Sequence, residues 1–214
     1  MRKLVVGTFL TVDGVMQAPG GPDEDREGRF EHGGWSVNYW DDMMGQLITE
    51  LTLQAGALVL GRKTYEIFAA HWPHVTGDDP VAAKLNSVPK YVASRTLDKV
   101  SWNNSTLIKG DVARAVAELK EQPGGEIQVH GSGDLAQTLI ERGLVDEYRL
   151  WAFPLVLGEG KRLFAGGTVP GALKLVDTKT FSTGVAIHTY ERAGAVEYGS
   201  FEVDEQGETS KLWT

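Results

Sequence analysis

The sequence predicts a three-layer α/β domain, with helices on both faces of a mostly parallel sheet and an antiparallel hairpin at one edge. Three observations support this fold class. Apolar, β-branched runs alternate with segments of helical periodicity along most of the 214-residue chain. The run at 57–61 is continuously apolar, as is typical of a central parallel strand. Near the end, runs at 173–181 and 185–192 flank Ser182-Thr183-Gly184, which predicts a hairpin.

The predicted elements follow one another in a regular order. The first strand, 3–12, ends at the turn residues Asp13-Gly14. A long loop at 17–36 is rich in glycine and charge, and loops of this length often act as functional lids. The other strands before the hairpin are predicted at 57–61, 91–93, 106–108, 127–130 and 147–157, and the helices at 39–54, 64–70, 112–121 and 134–142.

The chain shows no internal repeat and no linker that would divide it. Residues 1–193 are therefore expected to form one domain. Residues 194–214 are polar and acidic. We expect them to be a C-terminal tail, or an arm that packs on a partner subunit.

Composition excludes several classes of function. A net charge of −8 disfavours nucleic acid, because a groove that follows phosphates needs the opposite sign. The lack of cysteine excludes disulfides and cysteine-type zinc sites, and the five histidines show no metal-ligand spacing, so we expect no metal. No stretch approaches the ~20 apolar residues that span a bilayer. We expect a cytoplasmic protein that binds neither nucleic acid nor a membrane.

The segment Gly131–Ala136 carries the first chemical signal. Its letters, G-S-G-D-L-A, match the glycine pattern G-x-G-x-x-G/A, and it follows a predicted strand and opens a predicted helix. Glycines let the backbone approach a phosphate closely, and the helix N-terminus supplies amide donors. The acid that completes the dinucleotide fingerprint about 20 residues later is not in its usual place. A tight turn without a ligand is the alternative interpretation.

Two further strand-to-helix junctions carry cations. Gly61–Glu66 (G-R-K-T-Y-E) follows the second strand, and Ser94-Arg95-Thr96 follows the third. The carboxyl ends of parallel strands meet at one edge of the sheet, so these cations are expected to cluster there. Guanidinium groups pair with phosphates in a bidentate manner, which predicts a 2′-phosphate as the guest. Solvated surface cations are the alternative interpretation of each one alone.

These segments resemble a known family. Leu60–Glu66 resembles the strand–helix junction of dihydrofolate reductases, and Thr11–Gly14 resembles the S-L-D-G element of the related riboflavin-biosynthesis reductase domain. Leu144–Glu147 and Phe153–Lys161 resemble the V-D-E and P…L-G-x-G-K elements of that same domain. Together the likenesses cover residues 3 to about 192. They imply a dihydrofolate reductase-like fold with an eight-stranded sheet, NADPH as hydride donor, and commonly a homodimer.

The resemblance also implies site residues, carried over by position. Gly131, Ser132, Gly133 and Asp134 would cradle the cofactor pyrophosphate, with Leu135 close to the cofactor. Those on the adenosine phosphate side would be Gly61, Arg62, Lys63, Thr64, Ser94 and Arg95. Those in the nicotinamide pocket would be Thr8, Phe9, Asp13, Gly14 and Met16, bordered by Val156, Leu157 and Gly158. Trp40 is a candidate to stack on a flat substrate.

The main departure from the family pattern concerns one acidic residue. Dihydrofolate reductases carry an acid on the helix before the second strand, and it protonates or orients the pterin ring of the substrate. The position of this acid falls near Gly45, so dihydrofolate is disfavoured. Asp41 and Asp42 lie one turn earlier and, with Asp13, are the candidate catalytic acids. For Asp41 and Asp42 the alternative is a helix-start acid that complements the dipole.

The resemblance predicts a reductase that transfers a hydride from NADPH to a small heterocyclic substrate. The best-motivated substrate is 5-amino-6-(5-phosphoribosylamino)uracil of riboflavin biosynthesis. Two alternatives stay open at this point: a nucleotide-binding module without catalysis, and a flavin-binding relative.

Overall fold

The computed structural model describes residues 1–203 and 209–213, and within them it contains ten strands and five α-helices. None of these helices has the length and apolar character needed to cross a bilayer. The helices are α1 (Asp42–Leu53), α2 (Arg62–His71), α3 (Pro80–Ser87), α4 (Val112–Glu121) and α5 (Gly133–Glu141). The strands are β1 (Leu4–Thr11), β2 (Ala55–Gly61), β3 (Lys90–Ala93), β4 (Ser105–Ile108), β5 (Glu126–His130), β6 (Glu147–Phe153), β7 (Ala172–Thr180), β8 (Ala186–Gly194), β9 (Gly199–Val203) and β10 (Thr209–Trp213).

Eight strands form one sheet in the order β4-β3-β2-β5-β1-β6-β8-β7. The neighbours from β4 to β6 are parallel, whereas β8 runs antiparallel to β6 and β7 antiparallel to β8. The predicted fold class is therefore confirmed, with the antiparallel hairpin at one edge. β1 lies in the interior of the sheet, so its two neighbours come from the second half of the domain.

Apolar side chains alternate between the two faces of the sheet, and each face packs against helices. One face carries Val6 and Val129 and packs against α4 and α5. The other face packs against α1 around Trp151 and Phe153, and against α2 and α3 around Leu58 and Leu60. These layers leave the carboxyl ends of the parallel strands free to form a site.

Some boundaries differ from those predicted. β6 ends at Phe153 rather than near 157, because Pro154 has no N–H to continue the ladder. Helix α2 begins directly at Arg62, two residues earlier than predicted. Residues 194–214 contain β9 and β10, which pair in a separate two-stranded sheet. Residues 204–208 and 214 of the predicted tail lie outside the described part of the chain.

Helix α3 is an element that the periodicity did not predict. It has only eight residues, with Pro80 at its start and the Asp79 carboxylate accepting the amide N–H of Ala82 at 2.8 Å. At its other end, the fully buried ammonium of Lys90 donates to the carbonyls of Leu85 and Asn86 at 2.7 and 3.1 Å. Both helix ends are thus stabilised by side chains beyond its own short sequence.

An ion network lies buried on the face that packs against α1. Arg149 of β6 pairs in a bidentate manner with Glu126 of β5, through Nη1–Oε1 and Nη2–Oε2 distances of 2.8 and 2.9 Å. Its Nε donates to Glu147 at 2.7 Å, and the second oxygen of Glu147 accepts from Lys3 Nζ at 2.7 Å. β1 lies between β5 and β6 in the sheet. The network therefore joins the strands on either side of β1, and it includes Lys3, which directly precedes β1.

Replacing Arg149 with Met is expected to lower the free energy of unfolding by about 3–5 kcal/mol, because Glu126 and Glu147 lose the cation that they share. Urea denaturation measures the change. The matched control is Arg114→Met, which removes an exposed pair with Glu118 and is expected to stay within about 0.5 kcal/mol. Equal losses for both variants would contradict the structural role of Arg149.

Candidate functional site

A cleft of about 1540 Å³ opens along the carboxyl ends of the parallel strands and continues over the sheet face beneath α1. The first turns of α2 and α5 border it, as do the ends of β3 and β4 and part of the loop at 17–36. Open α/β sheets bind ligands at this edge. The structure brings the three predicted phosphate junctions together here.

Two of the five described helices begin at the cleft without a side-chain cap. These are α2, which starts after Gly61, and α5, which starts after Ser132. The other three begin with an aspartate whose carboxylate accepts a first-turn amide at 2.8–3.1 Å: Asp41, Asp79 and Asp111. The uncapped amides of α2 and α5, with the positive ends of both helix dipoles, can bind an anion.

The Ser132 side chain joins the two uncapped helices. Its hydroxyl accepts the amide N–H of Gly61 at 3.0 Å and donates to Thr64 Oγ1 at 3.0 Å. Ser132 has a left-handed backbone (φ +53°), which is costly for a residue with a side chain and marks a functional turn in many proteins. The Ser132 hydroxyl therefore links the junctions at the starts of α2 and α5.

The positions on either side of Ser132 favour glycine, because of the backbone conformation at one and the close packing of Met16 at the other. Gly131 is also left-handed, with φ +53°. A Cβ on Gly133 would lie 3.3 Å from the Sδ atom of Met16, a predicted cofactor residue that lines the cleft. Asp134 and Leu135 follow in the first turn of α5 and line the cleft as well.

Lys63 has partners that the sequence did not predict. Its ammonium lies 2.9 Å from Asp25 Oδ1 and 2.7 Å from Glu27 Oε2, two carboxylates of the loop at 17–36. Lys161 approaches the same two residues, at 2.7 Å from Asp25 and 2.5 Å from Glu27. These lysine hydrogen bonds lower the pKa of Glu27 to about 2. The four residues form an ion cluster that joins the loop to both rims of the cleft.

The polar residues that follow β3 and β2 differ in their surroundings. Ser94 is buried, and its hydroxyl accepts the amides of Thr96 and Leu97 at 3.2 and 3.0 Å, so it holds its own turn. Arg95 is exposed on the rim of the cleft. Arg62 also lines the rim and forms an exposed i,i+4 pair with Glu66 at 3.2 Å.

The predicted nicotinamide and substrate residues divide into two groups. Thr8, Phe9 and Trp40 line the cleft, and the ring centroids of Phe9 and Trp40 lie 6.0 Å apart in an edge contact. Gly14 forms a left-handed turn at φ +81° outside the cleft lining. The remaining three, which also lie outside the lining, are Val156, Leu157 and Gly158.

The three candidate catalytic acids do not line the cleft either. Asp13 accepts the Thr11 hydroxyl at 2.6 Å and the Gly158 amide at 2.8 Å, and these bonds lower its pKa to about 2. Asp41 caps α1 and accepts the Ser182 hydroxyl at 2.6 Å. Asp42 is exposed in the first turn of α1. For Asp41 the structure favours the helix-start alternative, because its carboxylate is occupied as a cap.

Sequence reasoning missed the polar residues on the sheet face within the cleft. Gln128 and His130 of β5 and Arg149 of β6 all line it beneath α1. Their signal was the period-two alternation of β5, where Glu126, Gln128 and His130 share one face opposite two buried apolar residues. The strand was predicted at 127–130, but its polar face was not interpreted as part of a site.

Comparison with known proteins gives the family. The model of the RibD C-terminal domain matches residues 2–187. The chain belongs to the RibD C-terminal domain family. This confirms the resemblance first seen at Thr11–Gly14 and Leu60–Glu66, and it makes the chain a reductase-like domain.

Two relatives of this RibD-type domain come from Bacillus subtilis (strain 168). The uncharacterized protein YyaP is 32% identical over 198 residues, which cover 90% of this chain and 96% of YyaP. The uncharacterized protein YwjB is 26% identical over 195 residues, with 90% and 99% covered.

Solved structures share the fold of this RibD-type domain. A putative riboflavin biosynthesis protein from Shewanella sp. PV-4 has a TM-score of 0.67 at 21% identity, covering 89% of this chain and 99% of its own. A pyrimidine reductase-like protein from Corynebacterium diphtheriae has a TM-score of 0.62 at 13% identity, with 90% and 92% covered. A deaminase/5-amino-6-(5-phosphoribosylamino)uracil reductase from Thermotoga maritima has a TM-score of 0.58 at 12% identity, and 90% of this chain matches 57% of that one.

His130 is expected to be neutral at pH 7, because burial, followed by the charge of Arg149, lowers its pKa to about 4. A histidine in the unfolded chain takes its proton near pH 6.5. The folded protein therefore loses stability as the pH falls from about 6.5 to 4, and His130→Gln removes this part of the pH dependence. NMR titration of the His130 ring protons measures the pKa, and a midpoint near 6.5 would contradict the expectation.

Proposed function

We propose that this chain is an NADPH-dependent reductase that transfers a hydride to a C=N or C=O carbon of a small heterocyclic substrate. One observation carries the proposal: α2 and α5 both begin at one cleft with uncapped N-termini, whereas the other three described α-helices carry aspartate caps. Adjacent anion sites at two helix ends suit the linked phosphates of a dinucleotide.

The residues of the cleft fit such a cofactor. A bare backbone at Gly131 and Gly133 supports close approach of a pyrophosphate. Arg62, Arg95 and Lys109 lie on the cleft rim around the ends of β2, β3 and β4. Their positive charge favours a cofactor with a 2′-phosphate over one without it.

The remaining walls of the cleft suit a flat ring. Phe9 lies between Trp40 and Trp151, with ring centroids 6.0 and 5.9 Å away in edge contacts, and all three line the cleft. When bound, NADPH supplies the hydride from its nicotinamide ring. The chain's residues hold the substrate against that position and exclude water, which is the protein's main contribution in cofactor chemistry.

The substrate best supported by the family is 5-amino-6-(5-phosphoribosylamino)uracil. That name belongs to the activity of the Thermotoga maritima relative, whose chain is matched over 57% of its length. Family membership over residues 2–187 supports a related small heterocycle for this chain.

NADPH is expected to bind at least about tenfold more tightly than NADH, because charge-assisted hydrogen bonds to a phosphate contribute about 1.5–3 kcal/mol. Quenching of tryptophan fluorescence measures both affinities. The double variant Arg62→Met/Arg95→Met is expected to lose the preference, and Arg114→Met, an exposed arginine on α4, is expected to keep it. Equal binding of both cofactors to the natural protein would remove the role given to these arginines, and binding of neither would overturn the proposed function.

The ion cluster of Asp25, Glu27, Lys63 and Lys161 leads to a second prediction. The two carboxylates compete with a phosphate for Lys63, so Asp25→Asn/Glu27→Gln is expected to tighten NADPH binding by about threefold to tenfold at low salt. Raising the ionic strength should reduce this gain, since salt screens the exposed lysines. Glu118→Gln, which removes an exposed carboxylate on α4 outside the cleft lining, is a control for general charge. Weaker NADPH binding by the double variant would show that the cluster supports the cofactor site.

A nucleotide-binding module without catalysis is a second candidate. The observation that favours it is the placement of Asp13, Asp41 and Asp42 outside the cleft, where each has another contact or faces solvent. Substrate-dependent loss of NADPH absorbance would separate the two candidates.

We also propose that the protein is a homodimer that pairs through the edge of its sheet. β7 exposes Leu173, Leu175 and Val176, which are 37%, 50% and 52% exposed, beside a strand edge that pairs with no other described strand. Sedimentation should give twice the 23.3 kDa chain mass. Leu175→Asp/Val176→Lys should give a monomer, and a monomeric natural protein would contradict the dimer.

A further inference from the structure

Three strands form an open floor in the part of the cleft beneath α1. Gly7 of β1 lies between His130 of β5 and Arg149 of β6, and it is the register partner of both. A Cβ built on Gly7 would meet no atom within 4 Å. The floor therefore has a vacant position over Gly7, with an imidazole on one side and a guanidinium on the other.

The charges of this floor are already balanced. The Arg149 guanidinium is paired with Glu126 and Glu147, and Glu147 is paired with Lys3 as well. Lys3 also pairs with Glu191 at 3.4 Å, so each charge of the network has a counter-ion, and Arg149 is only 8% exposed. A charged ring would have no counter-ion here, so the floor suits a neutral one.

Gln128 determines which nitrogen of His130 carries the proton. The Gln128 Nε2 atom donates to the carbonyl of Leu51 at 2.7 Å and to Glu126 Oε1 at 2.5 Å, so both of its neighbours are acceptors. Its Oε1 atom must then face His130 Nε2, 3.0 Å away. Since an amide oxygen only accepts, the His130 Nε2 atom carries the hydrogen.

This arrangement leaves Nδ1 of the neutral ring as a free acceptor. Among the residues whose side chains the structure describes, none forms a hydrogen bond with His130 Nδ1. Burial and the nearby Arg149 oppose protonation of the ring. On the α2 side the ring packs near Phe68, with centroids 5.9 Å apart, and the charged groups closest in the network are Glu126 and Arg149.

We propose that His130 Nδ1 orients the substrate by accepting a hydrogen bond from a ring N–H, with the neutral heterocycle lying over Gly7. This inference rests on the proposed reductase function and adds the substrate class: a flat, uncharged heterocycle that carries an N–H donor. The donor specifies orientation because a site with a fixed acceptor rejects an analogue that cannot donate to it.

The test uses the full chain and two probes, lumazine, which has ring N–H groups, and 1,3-dimethyllumazine, which has none. Tryptophan fluorescence follows their binding in the presence of saturating NADP⁺. Lumazine is expected to bind about tenfold more tightly than the dimethyl probe, since the dimethyl probe leaves the buried acceptor without a hydrogen bond. Similar affinities for the two probes, or no binding of lumazine, would overturn the role of His130.

Three variants separate orientation from structure. His130→Phe keeps a flat ring but has no acceptor, so lumazine should bind about as weakly as the dimethyl probe. His130→Gln can donate to Gln128 and still offers an oxygen, so about a threefold loss or less is expected. His74→Phe, an exposed histidine outside the cleft, should leave both affinities unchanged. Full discrimination between the probes in folded His130→Phe would contradict the proposal.

A further variant tests the vacant position. Gly7→Leu should weaken the binding of both probes about equally, because the leucine side chain fills the space over the floor. This effect does not depend on whether the probe carries an N–H donor. NADPH titration of the natural protein keeps the two proposals distinguishable: if NADPH fails to bind, the proposed function falls, and if NADPH binds while the probes are not discriminated, only the role of His130 falls. In ¹⁵N spectra, hydrogen on Nδ1 rather than Nε2 would also overturn it.

Discussion

A buried guanidinium is stable only when its hydrogen bonds are satisfied, and Arg149 obtains them from Glu126 and Glu147. The fixed Glu126 carboxylate then fixes the Gln128 amide, and that amide fixes the His130 ring. A single cation on β6 therefore controls the orientation of polar groups on β5, across the intervening β1. The same interaction that holds the sheet face together also defines the floor of the cleft.

The α-helices differ in whether a side chain caps their N-termini, and this difference separates α2 and α5 from the others. An aspartate at the start of α1, α3 or α4 satisfies amides that would otherwise need water. At α2 and α5 the position before the helix is occupied by Gly61 and Ser132, and the Ser132 hydroxyl bonds to the neighbouring junction instead of its own helix. Two first turns are thus left open at one edge, and the serine holds them at a fixed separation.

The fold was predictable because its signals are local. The apolar run at 57–61 and the hairpin around Ser182-Thr183-Gly184 fix strand types without knowledge of their partners. Phosphate junctions were also predictable, because a glycine turn before a helix has the same geometry in many folds. The family resemblance added which residues along the chain are expected to contribute to the site.

The partners of charged side chains were not predictable. Lys63 resembled a cofactor ligand, yet it pairs with Asp25 and Glu27, which lie 38 and 36 positions away in the chain. Asp13 resembled a catalytic group, yet it holds the Gly158 amide from 145 residues away. Helix α3 was not predicted because eight residues show too little periodicity. Its C-terminal carbonyls are stabilised by Lys90, which lies on the following strand. In each case tertiary structure supplied a partner that sequence spacing does not encode.

The interior position of β1 has a consequence for synthesis of the chain. Residues 4–11 are made well before their partners, Glu126–His130 and Glu147–Phe153. Until those partners are made, the apolar strand β1 has two unpaired edges in the growing polypeptide. Such long-range pairing slows folding and favours association with other chains. The nascent domain is therefore most vulnerable to aggregation before β6 emerges, and chaperone binding at β1 would protect it during that interval.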